Sequence, residues 1–174
     1  MLASILPTPL HPVIVHLPIA LAVLVPIFAI GTLVVIARGA TVSRTWSVTV
    51  ALLAALTASS WVSVETGETA DEEVEAVVAE APIETHEEAA EAFLAASAIV
   101  FGIALVGLAR GRLGQGARLA GTVGTLVLVV MGWRVGHSGG ALVYEHGAAS
   151  AYTNAATAPM TPNGANTRTE EDDR

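Results

Sequence analysis

Five histidines (His11, His16, His86, His137 and His146) and the carboxylates between Glu65 and Glu91 are the side chains here with coordination chemistry to offer. The absence of cysteine excludes disulfides, iron–sulfur clusters and thiolate ligation, leaving imidazole and carboxylate as the strong metal ligands. Two cofactor chemistries fit. In one, two histidines on facing helices clasp the iron of haem b, with Arg134 as a propionate partner. In the other, His16 and His86 join Glu65, Glu68 or Glu87 around zinc, iron or manganese, since the Glu65/Glu68 spacing puts both carboxylates on one helix face. The Glu-x-x-His signature of carboxylate-bridged di-iron bundles is missing.

His16 is the sharpest single residue. It lies about one turn inside an apolar run, where an ionisable group is costly and usually has a partner or a role. The competing reading is a hydrogen bond across a helix bundle or to interfacial water. His11 precedes Pro12, which suits a first helical turn, so it reads first as an interfacial cap residue. His86, in ETHEEAAE, either faces His16 or belongs to a solvated acidic rim. His137 and His146 flank GHSGG…YEHG, a glycine-rich turn that either folds back over the mouth of a bundle or simply caps it, with Tyr144 as a headgroup-level anchor.

The elements that must position these residues are membrane helices. A mean hydropathy of +0.62, with 53% hydrophobic and 14% charged residues, is too apolar for a soluble domain of 174 residues. Apolar stretches near 13–37, 46–64, 89–109 and 117–135 each approach the roughly 20 residues that cross a hydrocarbon core. The fourth is short and borrows Arg134 and Val135, with the guanidinium snorkelling to the interface. Met1–Leu10 carries no basic residue, and the apolar run after it is too long for a signal core, so it reads as a retained first span.

Charge gives the orientation. Lysine is absent; the turn after the first span carries Arg38 and Arg44, and the turn after the third carries Arg110, Arg112 and Arg118. All 16 acids lie on the other side, in Glu65–Glu91, at Glu145 and in the tail Glu170–Asp173. The positive-inside rule puts the arginine turns in the cytoplasm and both termini outside, which brings all five histidines to the outer face.

The acidic connection carries a weak apolar stripe at Val74, Val77 and Val78, predicting that the second helix continues beyond the membrane. Pro82 is expected to break it, and Thr85 to cap the third helix in a capping box with Glu88. Gly107/Gly111 and Gly132/Gly136 have GxxxG spacing, and Gly102, Gly121 and Gly124 add small surfaces, favouring tight packing within one bundle over a dimer seam. No internal repeat is convincing, although the two hairpins are similar in length. From about Thr153 the Asn-, Ala-, Thr- and Pro-rich composition predicts a disordered tail. The expected class is all-α: a four-span membrane domain over 1–152 with an acidic helical extension, then a tail over 153–174.

HPVIVHLPIAL (His11–Leu21) and GHSGGALVYEHG (His137–Gly147) resemble the opening HP-x-x-VHFPIAL and closing GG-x-LVY-x-HG of a family of bacterial four-span membrane proteins classed as a domain of unknown function. The acidic THEE segment also resembles that family, and Leu17 stands where Phe is usual. The resemblance covers about residues 8–150. It implies four spans in the bacterial cytoplasmic membrane and importance for His11, His16, His86, Gly139, Gly140 and His146. It supplies no reaction, although fusion of some members to cytochrome-like modules implies redox chemistry. The sequence therefore points first to a membrane haem or metal protein that passes electrons or senses redox state with a membrane partner. A second reading is a non-catalytic subunit docking a partner through its acidic segment. A weaker third is an ion or metal transporter, for which only Thr49, Thr57, Ser59 and Ser60 supply polar groups within a span. No nucleophile elbow, phosphate loop or nucleic-acid patch occurs, so hydrolase, nucleotide and nucleic-acid functions have no support.

Overall fold

The computed structural model describes residues 10–152, apart from the side chain of Glu72. The residues expected to form the tail, and those before Leu10, lie outside the described residues. Every regular element described is helical: α1 (His11–Ile14), α2 (His16–Ala37), α3 (Val42–Val74), α4 (Glu80–Val106) and α5 (Gly111–Tyr144). Pro12 opens α1, a turn at Val15 separates it from α2, and the two run on as one 27-residue span, His11–Ala37. At 1.5 Å per residue that is about 40 Å, more than a hydrocarbon core requires. Among the described residues, four helices are long and apolar enough to cross a membrane.

The helices form a square. The backbones of neighbours α2/α3, α3/α4, α4/α5 and α5/α2 approach closely, while those of the diagonal pairs α2/α4 and α3/α5 do not and meet only through side chains. The core holds Leu21, Val25, Ala29, Trp46, Leu53, Leu56, Phe93, Val100, Ala104 and Leu128. Large apolar residues such as Ile27, Ile30, Ile99, Val123 and Val130 point outwards. Lipid is as apolar as leucine, so inward packing gains little from hydrophobicity and close fit decides the interior. Gly121, Gly124 and Gly132 accordingly lie against Trp46, Val100 and Phe93, whereas Gly102 and Gly136 face open space. Several buried hydroxyls satisfy themselves locally: Ser60 donates to Leu56 O (2.8 Å), Ser63 to Ser59 O (2.9 Å) and Thr125 to Thr122 O (2.6 Å).

Three local expectations are corrected. The break between α3 and α4 falls before Pro82, which sits inside the first turn of α4, where a missing N–H costs nothing. Thr85 is therefore interior and donates to Ala81 O (2.8 Å) instead of capping. GHSGG is not a turn: α5 continues through it to Tyr144, because close helix packing makes glycine acceptable there. The chain reverses only at Gly147, whose φ of 73° is in the left-handed region, and Ala148 N–H then reaches back to Leu142 O (2.9 Å).

The fold also reveals a repeat that residue identities conceal. Positions 75 residues apart share burial: Pro18/Phe93, Ala22/Ser97, Val25/Val100 and Ala29/Ala104 on α2 and α4, and Trp46/Gly121 and Leu53/Leu128 on α3 and α5. The hairpins α2–α3 and α4–α5 run in the same direction, so their pseudo-two-fold axis follows the axis of the bundle.

Candidate functional site at the bundle axis

The repeat brings two histidines together. His11 stands at the head of the first hairpin and His86 at the head of the second, again 75 residues apart. They come from diagonally opposed helices, and their rings meet with centroids 6.4 Å apart and planes at 86°. Each ring is held by the other helix of its own hairpin. His11 Nδ1 lies 3.0 Å from Ser63 O on α3, and His86 Nδ1 lies 3.0 Å from Ser138 Oγ on α5.

These bonds assign the protons. A carbonyl oxygen only accepts, so His11 Nδ1 carries the hydrogen it donates to Ser63. Ser138 spends its own hydrogen on Val135 O (3.0 Å), so its oxygen accepts from His86 Nδ1–H. In the uncharged rings both Nε2 atoms then bear a free lone pair. An imidazole that donates Nδ1–H to a carbonyl or hydroxyl while presenting Nε2 is the usual arrangement of a metal-ligating histidine.

Glycine makes the approach feasible. A Cβ on Gly67 would lie 3.3 Å from His11 Cε1, and one on Gly139 would lie 2.9 Å from His86 Cε1. Gly139→Ala is therefore expected to push the His86 ring off Ser138 while leaving stability within about 1 kcal/mol, because the helix propensity gained offsets the displacement of a side-chain tip. Imidazole ¹⁵N shifts and a thermal melt together check this; an unmoved His86 signal would contradict it.

A small apolar cap sits at the same end of the bundle. Val74, Val78 and Ile83 from the α3–α4 connection pack with Ala148, and Leu142, Ala151 and Tyr152 lie against them. Burial, with the carboxylates of Glu73 and Asp71 nearby, raises the Tyr152 hydroxyl above the ordinary tyrosine range, so it stays protonated at neutral pH.

The other expected site residues are elsewhere. His16 is exposed on the outer surface of the span, so the ring opposite His86 is that of His11. His137 is exposed and stacks on Trp133 (centroids 5.3 Å apart, planes at 8°), while His146 and Tyr144 are exposed beyond and at the end of α5. Glu65 is exposed and accepts from Trp61 Nε1 (3.2 Å), Glu68 is exposed, and Glu87 is half-buried beside Asp71. Arg134 is exposed, about one turn before Ser138. Among the described residues no three histidine or acidic side chains converge closely enough to hold a metal ion. Ser63, Gly67 and Ser138 went unrecognised in the sequence; the signal for the two serines was the recurring His-to-Ser separation of 52 residues in both hairpins, and none pointed to Gly67.

The fold and this paired-imidazole mouth define a multi-pass four-helix membrane protein. The profile of a family described as predicted membrane proteins, DUF2231, matches residues 7–151, and the chain belongs to that family. No curated protein and no solved structure matches it.

Proposed function

We propose that this chain is a membrane redox protein in which His11 and His86 would hold a haem b. The observation that carries this reading is a pair of preoriented imidazoles with no third protein ligand beside it among the described residues. Zinc sites take three or four protein ligands, whereas haem iron already has four porphyrin nitrogens and asks the protein for two. The spacing supports it as well. With metal–nitrogen bonds of about 2.0–2.1 Å, two imidazoles sharing one metal have centroids roughly 6 Å apart. Bound haem would supply a reversible one-electron change at iron. The chain's own part is to fix the two tautomers through Ser63 and Ser138 and to narrow access with the apolar cap. Arg134 is the nearest candidate for a propionate partner.

The test is a reduced-minus-oxidised absorption spectrum of the protein extracted in mild detergent, with metal analysis and a haemin titration alongside. Stoichiometric haem with the sharp reduced bands of low-spin iron is expected. Protein free of haem that also fails to bind haemin would end this reading and leave the second: a non-catalytic subunit docking a basic partner through the exposed carboxylates of Glu65, Glu68, Glu84, Glu88 and Glu91.

We infer from the arginine turns that this mouth lies on the non-cytoplasmic side of a bacterial inner membrane, with both chain ends there. An alkaline phosphatase fusion in the α4–α5 turn is expected to be inactive, and one after Tyr152 active. The reverse pattern would invert the orientation.

A further inference from the structure

The opposite end of the bundle carries a binding site of its own. Between α4 and α5 a groove of about 370 Å³ is lined by Ile103, Val106, Arg112, Leu113, Gly116, Ala117 and Ala120. Gly116 has nothing within 4 Å of where a side chain would start, and the small residues at 117 and 120 continue the trough. From Arg112 to Ala120 the groove descends about 12 Å along α5, most of the roughly 15 Å depth of one leaflet. A guanidinium at headgroup level above an apolar trough of leaflet depth has the dimensions of one phospholipid acyl chain and its phosphate.

Charge selects the lipid. Arg110 and Arg112 are both exposed, and no acid occurs between Ala92 and Tyr144, so neither helix of the groove neutralises them. Arg118 differs, being buried and committed to Gly107 O (2.6 Å) and Ala109 O (3.3 Å). A comparable groove between α2 and α3, lined by Ile27, Phe28, Gly31, Thr32, Val35, Thr45 and Val48, has no arginine in its wall.

We infer that the α4–α5 groove is a specific site for an anionic phospholipid, with one acyl chain over Gly116 and Ala120 and its phosphate held by Arg112 and Arg110. Basic pockets beside membrane helices recognise acidic headgroups in this way.

Native mass spectrometry of the intact protein, delipidated and then titrated with phosphatidylglycerol or phosphatidylcholine, tests the assignment. One phosphatidylglycerol is expected to be retained in preference to phosphatidylcholine. Arg112→Gln is expected to weaken that retention about fivefold, with a similar further loss on adding Arg110→Gln. Gly116→Leu, which fills the trough and leaves the arginines, is expected to abolish retention, separating lipid from free phosphate bound by charge alone. Circular dichroism confirms the fold of each variant. Equal retention of both lipids, or undiminished phosphatidylglycerol binding in the double arginine variant or in Gly116→Leu, would overturn it.

Discussion

Replacing His11 or His86 by alanine is expected to abolish the sharp low-spin spectrum, each alone as completely as both together, while His16→Ala, His137→Ala and His146→Ala retain it in full. Low-spin iron needs both axial imidazoles, and the only two that approach each other are His11 and His86. Ser138→Ala removes the acceptor that orients His86 without touching a ligand, so affinity is expected to fall roughly 10- to 100-fold with the spectral type unchanged. Haemin titration followed in the Soret band reads occupancy and ligation in one measurement. Loss of binding in His16→Ala with retention in His11→Ala would move the site to the outside of the helix and dissolve the paired-imidazole reading.

The sequence favoured His16 because it weighed depth in the apolar run and not direction around the helix. Five residues separate His16 from His11, and at 3.6 residues per turn that is about 140° of rotation, so only one of them can face the axis. Which one depends on packing partners 52 residues away, beyond the reach of local pattern. Span number and charge asymmetry were legible because each reflects composition alone: long apolar runs and acid-free arginine turns. The repeat was harder to read, since paired positions such as Ala22/Ser97 and Trp46/Gly121 share burial without sharing chemistry. The residue itself is preserved at a minority of positions, among them Val25/Val100, Ala29/Ala104 and Leu53/Leu128 in the core and His11/His86 and Ser63/Ser138 at the site. GHSGG was misread for a related reason. Glycine signals a turn in water, but here Gly139 opens a helix surface to an imidazole.

Arg118 had two tasks and only one was visible. As a turn charge it orients the chain; in the fold it is buried and donates to Gly107 O and Ala109 O at the end of α4, while Trp46 Nε1 donates to Ala104 O (2.8 Å) on the same last turns. Residues from α3 and α5 thus satisfy carbonyls that a helix C-terminus leaves orphaned, and the positive guanidinium suits the negative end of the helix dipole. Trp46 is wholly buried, and Gly107 and Gly121 lie against its ring.

Trp46→Ala is expected to cost about 3–5 kcal/mol, because the cavity cannot close around a core of small residues. Trp46→Phe keeps most of the volume and loses the N–H, and interhelical hydrogen bonds in bilayers contribute only about 0.6–1.7 kcal/mol, so packing dominates at this position. Arg118→Met keeps the aliphatic stem but strips a charged donor from two carbonyls, at about 1.5–3 kcal/mol. Arg44→Gln, exposed at the start of α3, is the control and should stay within about 0.5 kcal/mol. Reversible unfolding in mixed micelles measures all four. Because Trp46 and Arg118 hold the same helix end, the double variant Trp46→Phe/Arg118→Met should depart from additivity. An Arg118→Met protein as stable as the parent would reduce the arginine to a topology signal and leave Trp46 as the sole fastener of that end of α4.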